Sequence, residues 1–287
     1  MIDTFPVLCR PALPKDTAEV LELVSRIWEG NDYIPYVWEE WLADPLGILA
    51  VAEMSGRVVG LAKLSCLSSD EWFMEGLRVH PDYRAQGIAA RLNGYIVDYW
   101  RKHCEGTVRL ATHSDNVKVH HMSERTGFQK VMEVIFQAAP AQHEETDNFE
   151  PALLDDLNDA LEFASRAPSL KLSAGLFDLG WRWAKPAAKG LQLLIEKQQV
   201  WWWRGRQGLL ALWEDDEDPG YMHVCTILCT KEALAELLVD YRRLVGKLGK
   251  NQAAWGSPAH PHVQEALQQA GFERSWDKSL YIYELGK

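Results

Sequence analysis

The sequence predicts an α+β fold in two related halves, each a mixed, mostly antiparallel sheet flanked by helices, the second half degenerate. Three observations predict it. Short strand-like runs alternate with longer amphipathic ones through residues 1–139. An acidic, proline-punctuated stretch, "PAQHEETDNFEPALLDDLN" at 140–158, reads as a linker before residues 159–287. Finally, the order of elements recurs: "EWFMEGLRVH" and the helix after it line up with "GYMHVCTILCT" and "KEALAELLVDYRRLVGKLGK". "HHMSERTGFQKVMEVIFQ" lines up with "HVQEALQQAGFERSWDKSLYIYE", and Gly127 and Gly271 are matching helix C-caps.

Taken in order, "FPVLCRPA" is a strand and "KDTAEVLELVSRIW" a helix, with Asp16 as N-cap and Val20, Leu23, Val24 and Ile27 on one face. "YIPYVWEEWLADP" continues helical and stops near Pro45. "GILAVAEMSGRVVGLAKLSCLS" is a hairpin turning at Ser55-Gly56-Arg57, and "EWFMEGLRVH" is the next strand. "GIAARLNGYIVDYWRKHC" repeats apolar residues at 88, 92, 95, 96 and 99, which makes it a helix. "TVRLATHS" is a strand, 116–126 a helix and "KVMEVIFQAA" a strand. In the second half "GLQLLIEKQQVWWWRGRQGLLALWEDD" suggests a sheet, and 231–249 an amphipathic helix.

Composition narrows the function classes. With 47% hydrophobic and 25% charged residues the chain is of ordinary globular make-up. No apolar run approaches a membrane span, and "MIDTFPVLCRPALPKD" lacks the basic start and long apolar core of a signal peptide, so a cytoplasmic location is expected. Five cysteines with no CxxC pair read as reduced structural thiols; Cys225 and Cys229 share one strand face. A net charge of −11 argues against nucleic acid or an anionic membrane as the main partner and suits a small cationic ligand. The "WWWRG" run at 201–205 reads as one strand with rings on both faces, "EDDED" at 214–218 as a solvated loop, and "HPH" at 260–262 lacks the companions of a zinc site.

The chemistry concentrates in "RVHPDYRAQGIAARL", 78–92. A turn entering a helix points unpaired N–H groups outward, and the helix dipole adds partial positive charge, an arrangement suited to phosphate. Small residues Gly87 and Ala89 let oxygens approach, and Arg84 can neutralise their charge. Neither GxxxxGK[ST] nor GxGxxG is present. The second half lacks this loop altogether: Thr230 leads straight into Lys231 and Glu232.

The RxxGxA pattern after "LRVHPDY", in this order of elements over residues 6–138, resembles the GNAT acetyltransferases. That resemblance implies an acetyl-CoA-binding domain at 1–139, a linker at 140–158 and a degenerate GNAT-like domain at 159–287, with acetyl-CoA as co-substrate. It implies that Leu77, Arg78 and Val79 splay from a neighbouring strand at a bulge and bind pantetheine through their backbone. Arg84, Ala85, Gln86, Gly87, Ile88 and Ala89 would hold the pyrophosphate, and Asn116 would lie beside the pantetheine. The position where the family often carries a proton-donating tyrosine is Ser123; water, His120 or His121 are alternatives. Glu75 is the candidate general base, sharing a face with Leu77 and Val79 on an alternating strand, or else it only pairs with a cation. "GNDYIPYVWEEWLADP" would wall the acceptor cleft, with Asp32, Tyr33 and Tyr36 facing the amine or packing the helix. Together with the degenerate second half, this stretch is similar to the histidine N-acetyltransferase branch.

The expected function is therefore transfer of acetyl from acetyl-CoA to a primary amine of a small molecule or free amino acid, histidine among them. An α-amino group, with a reference pKa near 8 against about 10.4 for lysine, loses its proton to a modest base more easily. The alternative is a non-catalytic acyl-CoA-binding regulator; an aminoglycoside or protein N-terminal acceptor would change only the substrate.

Overall fold

Short β-rich runs between turn residues form strands, and the longer 3.6-periodic runs form helices, throughout the computed structural model, which describes residues 6–214 and 220–287. The first half runs β1 (Leu8–Pro11), α1 (Thr17–Ser25), α2 (Ile34–Ala43), β2 (Ile48–Met54), β3 (Arg57–Cys66), β4 (Glu71–Val79), α3 (Ile88–His103), β5 (Thr107–His113), α4 (Val117–Arg125). There follow β6 (Gln129–Pro140), β7 (Phe149–Pro151), α5 (Leu157–Arg166), β8 (Phe177–Asp178), β9 (Trp183–Ala184) and α6 (Ala188–Glu196). The chain ends with β10 (Val200–Trp203), β11 (Gly208–Glu214), β12 (Tyr221–Leu228), α7 (Leu234–Lys247), β13 (Gln252–Pro258), α8 (Pro261–Gln269) and β14 (Glu273–Gly286). Phe5 of the expected first strand and residues 215–218 of the acidic run lie outside the described residues. No helix among the described residues is long and apolar enough to cross a membrane.

One unit contains the chain up to Leu110 together with His121–Phe128 and Glu284–Lys287; the other contains Ala111–His120 and Gln129–Tyr283. These packing units do not coincide with the segments 1–139, 140–158 and 159–287 expected from the repeat. β6 pairs antiparallel with β13 and so packs in the second unit, while Glu284, near the C-terminus, pairs with buried Arg109 in the first. Nor is 140–158 a bare linker, because β7 pairs with β10 over Phe149–Pro151.

In the first unit the strands run β1-β2-β3-β4-β5, antiparallel except for the parallel pair β4–β5. α1 and α2 cover one face: Val20, Leu23, Val24, Ile34, Trp38 and Trp41 pack on Leu49, Val51, Val58 and Leu61. α3 covers the other face through Ile88, Leu92, Ile96, Val97 and Trp100. That stripe corrects the expected one, since Tyr95 and Tyr99 are only half-buried while Val97 and Trp100 are in the core. Asp16 also departs from expectation. Its carboxylate does not cap α1 but accepts the Leu13 N–H (2.8 Å) and pairs with Arg10 (2.7 Å), and the hydrogen bond from Arg10 holds it below the usual carboxylate range.

The second unit has the order β14-β6-β13-β12-β11-β10-β7, with β12–β13 parallel. Residues 190–196, expected as sheet, belong to α6, because Leu191 and Ile195 lie one turn apart and bury the same face. The Trp-rich run is a strand with rings on both faces: Trp203 packs with α7 and α8 residues, Trp202 with those of α5 and α6. Cys225 and Cys229 are buried, and burial pushes the Cys229 thiol up to about 12. His260 caps α8, its ring accepting the His262 N–H.

The β3–β4 ladder carries a bulge. Arg78 faces Leu61 and Glu75 faces Lys63, so Gly76 and Leu77 together oppose Ala62. Gly76 takes φ +66°, and a Cβ there would lie 2.7 Å from the Trp41 ring. Gly76→Ala should therefore lower stability by roughly 2–4 kcal/mol, combining left-handed strain with overpacking. Gly94→Ala, at a helical position with nothing within 4 Å, should instead raise it by about 0.5–1 kcal/mol. Denaturant melts of the two variants compare these directly, and a neutral Gly76→Ala would remove the bulge constraint.

Candidate active site

The site grows from the place where β4 leaves β5. Their parallel pairing covers Glu71–Met74 against Thr107–Leu110 and then ends; Arg78 and Val79 keep partners only on β3. The stretch 77–79 thus has a strand edge turned away from β3 and left unpaired by β5. The bulge supplies the departure.

Beyond β4 the chain turns through Pro81–Tyr83 into the loop before α3. The turn is fastened from below. The buried His80 ring accepts the Asp82 N–H (3.3 Å) and meets Tyr83 edge-on, and Arg26 forks onto Asp82 (2.7 and 3.2 Å). Burial and the nearby Arg26 charge hold His80 below the ordinary histidine value. Arg84, Ala85, Gln86 and Gly87 are exposed, whereas Ile88 is buried and anchors the helix start. Ala85 (φ +63°) and Gly87 (φ +77°) are both left-handed, which turns successive N–H groups to one side. Among the described residues, no backbone carbonyl accepts the N–H groups of residues 85–90. A Cβ on Gly87 would meet nothing within 4 Å, so the space in front of the helix is open. With Arg84 beside it, this cradle fits a pyrophosphate.

Glu75 is half-buried on β4, and its Oε1 accepts a hydrogen bond from Ser65 Oγ (2.5 Å). Because of the bulge it shares its face with Arg78, not with Leu77 and Val79 as strict alternation would give, since Leu61 and Lys63 opposite them point the same way. The face is the one covered by α1 and α2. Lys63, 1% exposed, forms an ion pair with Asp44 at the end of α2. Burial raises the Asp44 carboxyl, but the Lys63 bond and the N–H groups of Leu46 and Gly47 outweigh it and leave it lowered.

Asp32, expected to meet the amine, is buried and already engaged. It accepts from Arg78 Nε (2.7 Å) and Nη2 (3.3 Å) and caps α2 through the Ile34 N–H (3.1 Å). Tyr33 stands edge-on to Trp41, and Tyr36 is 89% exposed. Ser123 is 0% exposed with its Oγ unpartnered, so it presents no surface from which to protonate a thiolate. His121 is exposed beside Glu124. Asn116 donates to Thr112 Oγ1 (3.2 Å) and His120 meets the Tyr283 hydroxyl (3.1 Å), both within the second unit.

Sequence reasoning missed Lys63, Ser65, Asp44, His80 and Trp28. Polar Lys63 and Ser65 at alternate positions of an otherwise apolar strand were the available signal for two of them.

The second unit repeats the geometry without the opening. β12 pairs in parallel with β13 over Tyr221–Val224 and Gln252–Trp255, again four residues. Its continuing edge is taken by the chain itself: Ser169 N–H donates to the Cys229 carbonyl (3.3 Å), Ser169 Oγ accepts the Cys229 N–H (2.9 Å) and donates to the Ile227 carbonyl (3.1 Å).

Residues 17–128 match the acetyltransferase (GNAT) family. The chain is 25% identical over 209 residues to the probable N-acetyltransferase 16 of Homo sapiens, covering 66% of this chain and 57% of that protein. It is 29% identical over 87 residues to the histidine N-acetyltransferase of Xenopus tropicalis, covering 30% of this chain and 27% of that one. The chain thus spans little more than half of the first relative and about a quarter of the second. In fold it resembles a tandem GNAT protein from the clavulanic acid biosynthesis pathway, with a TM-score of 0.56 at 12% identity over 98% of both chains. Residues 17–128 are thus a GNAT acetyltransferase domain by sequence, and the fold of nearly the whole chain is that of a tandem GNAT protein.

Proposed function

We propose that the chain is an acetyl-CoA-dependent N-acetyltransferase acting on the primary amine of a small molecule or free amino acid, with histidine a candidate acceptor. The observation that carries this is the parted β4–β5 pair leading into an open cradle of N–H donors at 85–90. Limited likeness to histidine N-acetyltransferases supports the acceptor class. As duplicated halves, 1–139 and 159–287 joined by 140–158 remain our proposed division.

Acetyl-CoA would supply the activated acetyl thioester, its pyrophosphate on residues 84–89 and its pantetheine along Leu77–Val79. A backbone N–H of the β4 edge then stands where the carbonyl oxygen gathers charge. Glu75, held by Ser65, takes the proton that the amine sheds on forming the amide, directly or through water. Buried Ser123 leaves solvent to protonate the departing thiolate. The same burial favours the second reading, a non-catalytic acyl-CoA-binding regulator. Release of free thiol on adding amines to protein and acetyl-CoA separates the two.

Gly87→Glu should abolish acetyl-CoA binding in a folded protein, because an anion would enter the pyrophosphate position and a side chain at φ +77° is strained. Calorimetry checks it, and unchanged affinity removes the loop assignment. Glu75→Gln should slow turnover about 10²–10⁴-fold at neutral pH with cofactor affinity retained. Part of the loss should return at higher pH, where more of the amine is already neutral; a wild-type pH–rate profile would show that Glu75 is not the base. One acetyl-CoA should bind per chain, since Ser169 fills the β12 edge and no glycine loop precedes α7. A calorimetric stoichiometry of two would overturn that.

A further inference from the structure

Arg78 is held more elaborately than a strand residue requires. Its guanidinium is clamped by buried Asp32 along the Nε–Nη2 edge, and Nη1 donates to the carbonyl of Leu77 (3.2 Å). It stacks on Trp28 (4.3 Å to the ring centre) and lies 5.4 Å from that of Tyr33. Trp28 is 57% exposed and takes φ +48°, followed by Glu29 at +59°. A bulky residue in that region stores strain, and such strain collects at ligand clamps. A guanidinium has five N–H donors; three are engaged, which leaves one on each terminal nitrogen with no acceptor among the described residues. The two terminal nitrogens form a second edge of the guanidinium, the kind that grips a carboxylate bidentately. The side chain keeps 12% of its surface exposed, so the group is fixed but reachable.

The bulge at Gly76–Leu77 places this cation on the same face as Glu75. An anionic proton acceptor and a cationic fork, side by side on one strand face, complement the ammonium and carboxylate of a zwitterion. We propose that Arg78 is the acceptor-recognition residue and that the acceptor is an α-amino acid with a free carboxylate, which Arg78 grips while Glu75 meets the amino group. Asp32 is then a positioning residue, aiming the fork without touching substrate. This rests on the acetyltransferase reading and deepens it by naming the substrate class.

The test compares free L-amino acids, histidine among them, with their α-amides in acetyl-CoA-dependent thiol release. An amide's amine is easier to deprotonate, so a preference for the acid cannot come from basicity. Wild-type protein should favour the acid by about 10- to 100-fold in kcat/KM, the worth of a charge-assisted contact. Arg78→Lys keeps charge but loses the fork; it should raise KM for acids with a smaller change in kcat, and bring the acid-to-amide ratio toward one. Equal or better use of amides by wild-type protein, or an equal fall on both substrates in the variant, overturns the proposal. If the variant folds poorly, the wild-type ratio decides alone. If acetyl-CoA binds but neither acid nor amide is acetylated, the acetyltransferase reading fails separately. Calorimetric titration of acid and amide into the protein saturated with acetyl-CoA then decides the carboxylate site, and equal affinities overturn it.

Discussion

Everything in the candidate site depends on β4 ceasing to pair with β5 after Met74. A parallel pair continued to its end would satisfy the backbone groups of 77–79 on both sides and leave nothing to bind a ligand's amides. The bulge prevents that by turning the strand at Gly76, where Trp41 packs where a side chain would stand. The helix packing that builds the core on the α1–α2 face and the backbone geometry that opens the site therefore meet in one glycine–tryptophan contact. Displacing either disturbs both.

The same bulge organises the charges. By shifting alternation one place it brings Glu75 and Arg78 onto a face that already holds the ion pair of Lys63 and Asp44. Four charged groups under one helical layer would be costly unpaired, and removing one partner of a buried pair typically costs about 3–5 kcal/mol. Here Asp44 answers Lys63, Asp32 answers Arg78, and Ser65 donates to Glu75. These contacts fix side chains of β3 and β4 against both ends of α2, the Asp32 cap and the Asp44 terminus. The site is thereby built on rigid elements, with the loop at 84–87, the Trp28 turn and Tyr36 exposed.

The second unit shows the same geometry with its strand edge closed by the chain itself. Its parallel pair also parts after four residues, but Ser169 satisfies the freed carbonyls and N–H group with its own backbone and hydroxyl. Buried polar groups require partners, and here the chain supplies them. The duplicated half has kept the packing and surrendered the opening.

The sequence by itself determined the alternation of elements, the repeat, and the loop at 84–89 with its unpaired N–H groups. Those are properties of local spacing: helix periodicity, turn residues, and N–H groups that a helix start always leaves unpaired. It also marked Glu75, a carboxylate within the strand that leads into that loop. Strict alternation then misplaced the neighbours of Glu75, since a bulge is a relation between two strands and leaves only a glycine in the sequence. Asp32 and Arg78 lie 46 positions apart, and only packing could reveal that one clamps the other. The burial of Ser123 and the grouping of β6 with β13 were likewise settled by tertiary structure. Long-range pairing is decided by which faces meet, and that information is absent from any single stretch of chain.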